Sequence, residues 1–306
     1  MKILLASDGS AHSALAETLL LKFPSLRVAE VTVVRVVPSQ MMVFGNLQPM
    51  TEVILTSTAE DLWEQSNKVA RSENAAVVER LKSQGLNSTG LVLEGDPAHE
   101  ILEHMTNDPH DLVIIGSRGQ GAFKSFLLGS VVRKVLSHAP CSVLVARHYN
   151  DMTPEASKTE LQSREKLRVL VGFDGSNGSQ ACLDWLNQYG HDIFDSACAV
   201  CAEPLISMPA GLDPMDIPDY YRFDKDRSLS VAQKGAEALK DLAPNVTAHA
   251  DLGPAPTVLM ETALDDKTDL IVMGAKRHGA IERFLLGSVS YEVATSAPCS
   301  VLVVRY

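Results

Sequence analysis

No run of eighteen apolar residues goes uninterrupted by charge, so no membrane-spanning helix is expected. Cationic residues are also short: 27 Lys and Arg stand against 38 Asp and Glu, a formal charge of -11, which disfavours a grip on nucleic acid phosphates. Cysteine is scarce and odd in number. Cys141, Cys182, Cys198, Cys201 and Cys299 have no framework spacing and read as reduced thiols. The opening residues MKILLASD reach a carboxylate too soon for a signal peptide, so the expected compartment is the cytoplasm. Three loops of nucleotide-using enzymes are missing as well: GxxxxGK[ST], SGGxDS and HxGH.

What remains is ordinary globular material, 45% hydrophobic and 21% charged, in 306 residues, a length that suggests two domains. The two are copies of one another. KILLASDGS (residues 2–10) is answered by RVLVGFDGS (168–176) at an offset of 166. DLVIIG (111–116) is answered by DLIVMG (269–274), and APCSVLV (139–145) by the same seven residues at 297–303, both at an offset of 158. Between the copies lies NDMTPEASKTE (150–160), polar and without apolar periodicity, which reads as a linker. The expected organisation is domain 1 over 1–148, a linker over 149–165 and domain 2 over 166–306.

In the first copy, short apolar runs at 3–6, 31–37, 91–94, 112–115 and 142–146 alternate with longer helical stretches. Such βαβ units predict an α/β fold of two tandem, doubly wound, parallel five-stranded sheets with helices on both faces. Their ligands bind beyond the carboxyl ends of the strands. Two loops leave those ends: Asp8-Gly9-Ser10, and Gly116-Ser117-Arg118-Gly119-Gln120-Gly121. Ten residues past Gly119, Gly129-Ser130 opens the last helix. A helix N-terminus offers unpaired N–H groups and partial positive charge, and glycine lets phosphate oxygens come close. Asp8 reads either as an acceptor for a base or ribose, or as a helix cap. The glycine spacing alone is a weak signal, strengthened here by its place between a strand and a helix.

These residues resemble the universal stress protein family in its tandem form, over nearly the whole chain. The pattern Gly-x2-Gly-x9-Gly-[Ser/Thr] of its ATP-binding members is met without a gap by Gly116, Gly119, Gly129 and Ser130, and Asp-Gly-Ser (8–10) and Gly-Asp-Pro (95–97) are family-like. The resemblance implies an adenine nucleotide alpha-hydrolase-like (HUP) architecture. It also implies Asp8 and the backbone near Val36 at adenine and ribose, and Gly116 beside the ribose. Gly119, Gly129, Ser130 and Val131 would then lie at the phosphates, with Mg2+ held through them. It further implies that the final strands, at the sheet edges, pair, making the chain an intramolecular pseudo-dimer able to pair again as a homodimer.

The second copy offers Asp174, Gly274, Gly287 and Ser288 for a possible second site, but Arg277 stands where the second glycine belongs. If that position requires a left-handed backbone, Arg277 is strained; its guanidinium either fills the phosphate space or clamps a phosphate. Other features read as structural. Cys198 and Cys201, three apart on a strand, face opposite sides, and His99 and His104, five apart on a helix, read as surface residues. Met41, Met42 and Met50 read as packing or as the lining of an adaptable apolar pocket, and the acidic, aromatic segment 208–221 as a lid or a partner surface.

The function expected is that of a cytoplasmic ATP-binding stress-response or signalling protein, with no catalytic residues, whose nucleotide occupancy biases conformation or partner binding. The alternatives are a slow ATPase or autophosphorylating enzyme on the same fold, and a nucleotide-independent interaction protein. Neither the stress nor any protein partner is legible in the residues.

Overall fold

The computed structural model describes residues 1–39, 54–119, 128–149, 152–203, 225–275 and 286–306. The first copy runs β1 (Lys2–Ala6), α1 (Ala11–Leu21), β2 (Glu30–Val37), α2 (Ile54–Ser83), β3 (Asn87–Glu94), α3 (Pro97–Asn107), β4 (Leu112–Gly116), α4 (Ser130–His138) and β5 (Ser142–Ala146). After α5 (Pro154–Ser163), the second runs β6 (Leu167–Gly172), α6 (Asn177–Tyr189), β7 (Phe194–Glu203), α7 (Lys225–Ala238) and β8 (Asn245–Leu252). It ends with α8 (Ala255–Asp265), β9 (Leu270–Gly274), α9 (Ser288–Ser296) and β10 (Ser300–Val304).

The two expected five-stranded parallel sheets are halves of one ten-stranded sheet, ordered β3-β2-β1-β4-β5-β10-β9-β6-β7-β8. Among the described strands only the β5–β10 pair is antiparallel, with Val143, Leu144 and Val145 opposite Val303, Leu302 and Val301. The final strands therefore cover each other's edges, as an apolar edge requires. The repeat makes this seam reciprocal. Arg147 N–H donates to Ser300 Oγ at 3.1 Å and Arg305 N–H to Ser142 Oγ at 3.1 Å. Arg147 Nη2 donates to the carbonyls of Ala294 and Thr295 in the last turn of α9, and Arg305 Nη2 to that of Leu136 in the last turn of α4. Each arginine thus crosses the seam to satisfy helix-terminal carbonyls of the other copy, where the helix dipole favours a cation.

Strand alternation divides the core into two layers. Ile3, Leu5, Val31, Val33, Leu112 and Ile114 pack under α1 and α2. Leu4, Val34, Val113, Ile115, Val143 and Val145 face α3 and α4. Both layers continue through the seam into the second copy, through Leu144 and Leu302 on one side and Val301 and Val303 on the other.

The segment read as a plain linker contains a helix. Thr153 caps α5 by accepting from Ala156 N–H at 3.2 Å, Pro154 takes the first turn and Glu155 lies at its positive end. Among the described residues, no helix is long and apolar enough to cross a membrane. The five cysteines are free and buried. Cys198 lies in the core on the α8 side of the sheet, where burial pushes its thiol up to about 11, the state of an unreactive strand residue.

Candidate functional site

The carboxyl ends of β1, β2 and β4 and the N-terminus of α4 enclose a cavity of about 390 Å³, within the range of small-molecule sites. Seven residues singled out from the sequence line it: Asp8, Val36, Gly116, Gly119, Gly129, Ser130 and Val131. Val34, Pro97, Ile101 and Ile115 add an apolar wall. Arg118 adds a cation, and Asp8 is the one carboxylate among the described lining residues.

Each end is built locally. Gly9 takes a φ of 78°, a left-handed conformation that glycine adopts without penalty, and turns the chain from β1 into α1. Asp8 does not cap α1. That role belongs to Ser10, whose Oγ accepts from Ser13 N–H at 3.2 Å, while Asp8 Oδ1 accepts from Ser10 N–H at 3.0 Å. Gly-Asp-Pro at 95–97 is a strand-to-helix device: Asp96 Oδ1 accepts from His99 N–H at 3.0 Å, and Pro97 opens α3. The N-termini of α1 and α3 are thereby satisfied by side chains. At α4 the cap position is Gly129, with no side-chain hydrogen bond, so among the described residues no capping side chain takes the first amides of that helix. The loop before it is tied to the sheet by Ser117 N–H on the Ala146 carbonyl and Gly129 N–H on the Ser117 carbonyl, at 2.8 and 3.0 Å.

Two details correct the sequence reading. Gly119 is not in the left-handed region, so the backbone-strain argument against a side chain there does not hold. What opposes a side chain is Asp8, whose Oδ2 would lie 2.7 Å from an added Cβ. His104 is not a surface residue like the exposed His99: its Nε2 is buried and its ring packs 5.4 Å from that of His110.

The second copy places Asp174, Gly274, Gly287 and Ser288 around an equivalent cavity of about 530 Å³, with Phe173 and Tyr306 added. Gly287 is again a helix cap without a side-chain hydrogen bond. Burial would raise the pKa of Asp174, but hydrogen bonds from Ser176 and Ser179 outweigh it and hold the carboxyl below its ordinary value. Arg277, Gly121, Met41, Met42, Met50 and the segment 208–221 lie outside the described residues.

A family model of the universal stress proteins matches residues 1–147 and again 167–305. The chain belongs to the universal stress protein family. A universal stress protein of Mycolicibacterium smegmatis is 27% identical over 312 residues, covering 99% of this chain and 96% of its own length. One of Thermus aquaticus is 32% identical over 151 residues, which are 97% of its length but 47% of this chain, so its counterpart here is a single copy. Among solved structures, a universal stress protein from Archaeoglobus fulgidus shares the fold at a TM-score of 0.59 and 21% identity. It covers 99% of this chain and 96% of that one.

Behind this universal stress protein cavity, His12 meets His148 edge-on at 5.3 Å, and His12 Nε2 and His148 Nδ1 are both buried without a hydrogen-bond partner. Burial first, then the facing His148 and Arg118, push His12 down to about 4. Between pH 6.5 and 4 the folded chain therefore binds fewer protons here than the unfolded chain, and falling pH favours unfolding. Stability is expected to be full above pH 6.5 and to drop by about 1–2 kcal/mol towards pH 4, less than the full shift implies because the ring is partly exposed. Urea unfolding across this range should show the slope, and His12→Gln should reduce it, the remainder coming from His148, which burial, Arg118 and Arg147 also hold below its ordinary pKa.

Proposed function

We propose that the first copy holds ATP, with Mg2+ bridging its phosphates, and that occupancy biases conformation or partner binding in a cytoplasmic stress-response or signalling protein. The carrying observation is the uncapped N-terminus of α4, opening into a cavity whose other helices are capped by their own side chains. Free amides, a helix dipole and Arg118 favour the phosphates at that end. The apolar wall of Val34, Val36, Ile101 and Ile115 suits a base, with Asp8 as acceptor for its polar edge or the ribose. With Asp8 the one carboxylate among the described lining residues, Mg2+ would be held through phosphate oxygens rather than by a protein cage. Bound nucleotide supplies a reversible state of charge and order, which the residues here bind and orient. Five buried free thiols support a reducing compartment.

Purified chain is expected to carry about one ATP, identified after denaturation and counted by native mass spectrometry. A chain that is empty and fails to take up ATP with Mg2+ would defeat the proposal. Several turnovers per minute would make it an enzyme instead.

A further inference from the structure

At the opposite end of the strands from the nucleotide cavity, the last turn of α3 and the residues after it gather three metal-ligating side chains. His104, Asp108 and His110 each offer one ligand atom, and those atoms lie within 4.8 Å of one another. The local fold produces this. Asp108 ends α3 with its N–H on the His104 carbonyl at 2.8 Å, and Pro109 cannot continue the helix, so the chain turns back and brings His110 over His104.

Three further observations point to a ligand. His110 Nδ1 lies 2.7 Å from the Asp108 carbonyl oxygen. A carbonyl only accepts, so Nδ1 carries the proton and Nε2 is left with the lone pair, the tautomer that a second hydrogen bond imposes on a metal-binding histidine. His104 Nε2 is buried with no hydrogen-bond partner, an arrangement that costs free energy unless something else fills the position. Asp108 Oδ1 receives Lys2 Nζ at 2.8 Å in a half-exposed pair, which is weak enough to yield the carboxylate to an ion.

We propose that His104, Asp108 and His110 bind a zinc ion. Two imidazoles and one carboxylate suit Zn2+, with solvent in the fourth tetrahedral position, whereas Mg2+ and Ca2+ prefer all-oxygen sets. The ion ties the end of α3 to the start of β4. The exposed group His99, Glu100 and Glu103 on α3 is the internal competitor.

The full chain, stripped with a chelator and dialysed, is titrated with ZnSO4 against a chromophoric chelator, and unfolding is followed with and without the metal. The wild type is expected to take up one tightly held zinc per chain and to unfold at a higher temperature with it. His104→Gln and Asp108→Asn should each weaken binding at least about 100-fold and remove the thermal shift. Lys2→Met should tighten binding a few-fold by freeing Asp108, and His99→Gln should change nothing. Asp108 is half-exposed, so its variant decides the matter if loss of the His104 ring unfolds the chain. Equal zinc binding by wild type and Asp108→Asn, or loss of zinc in His99→Gln, overturns the site. Nucleotide content is not part of this readout, so failure here leaves the ATP proposal standing, and the converse holds.

Discussion

Replacing Gly119 with arginine is expected to leave the chain folded and lower its affinity for ATP by at least about 100-fold, a loss of about 2.7 kcal/mol in binding. An added Cβ at 119 would lie 2.7 Å from Asp8 Oδ2, so any side chain displaces the carboxylate that sits between the first-strand turn and the glycine loop. The guanidinium would then pair with Asp8 and occupy the space in front of the α4 amides, where Ser130 and Val131 line the cavity. Stability should change little, because residue 119 contributes no side chain to either core layer. Calorimetric titration with MgATP beside a urea unfolding curve checks both halves. Undiminished ATP binding would show that the phosphates do not lie at Gly119. The substitution reproduces the second copy, where Arg277 holds this place in sequence, and Arg277→Gly asks whether the cavity around Asp174, Gly274, Gly287 and Ser288 gains nucleotide.

Most of the architecture is legible in the residues, because buried parallel strands announce themselves as apolar runs. Ser142–Ala146 is found where it was expected, and Leu112–Gly116 differs by one residue at its end. The apolar run at 91–94 marks only the second half of β3, which begins at Asn87. Its first half, Asn-Ser-Thr-Gly, carries no apolar signal because part of what covers it is polar. Asn74 of α2 donates to the Val33 carbonyl at 2.9 Å, and a Cβ on Gly90 would run into its Oδ1 first and into Val78 Cγ2, at 3.3 Å, next, so the strand passes beneath an amide as well as a hydrocarbon. Helix α5 was hidden in the same way, by judging a short polar segment on apolar periodicity when its start signal was Thr-Pro-Glu. The repeat showed which strands could meet at the seam. The arginine bonds across it depend on where a chain end lies against another copy's helix, which spacing does not encode. The histidine cluster is not legible in helical spacing, because His104 meets His110 only where the chain turns back beyond Pro109.

Gly116→Ala and Gly274→Ala are expected to destabilise the chain by about 2–4 kcal/mol each, the upper range for forcing atoms into a filled site. A Cβ on Gly116 would lie 2.6 Å from the His12 carbonyl carbon and 2.8 Å from Ser13 N, and one on Gly274 would lie 2.4 Å from the Gly178 carbonyl oxygen. These are backbone atoms in the first turns of α1 and α6, and those turns have little room to retreat. Ser10 and Ser176 cap them, with Ser13 N–H and Ser179 N–H donating at 3.2 and 3.3 Å, and their inner faces are packed in the core. The two sites lie in different copies, so the costs should add in the double variant. Gly129 behaves differently: among the described residues, an added Cβ meets nothing closer than 3.5 Å. Gly129→Val should therefore cost less than about 1 kcal/mol of stability, the scale of an altered helix cap, while closing the approach to the α4 amides and lowering nucleotide occupancy. Urea unfolding and nucleotide content measured on the same preparations separate the two kinds of glycine. If Gly116→Ala unfolds at the wild-type midpoint, α1 does not press on β4 as described; if Gly129→Val keeps its nucleotide, the phosphate end lies elsewhere. The motif Gly-x2-Gly-x9-Gly thus mixes two physical demands. Its first glycine lets a helix lie against a strand end, and its last leaves a helix terminus open to a ligand.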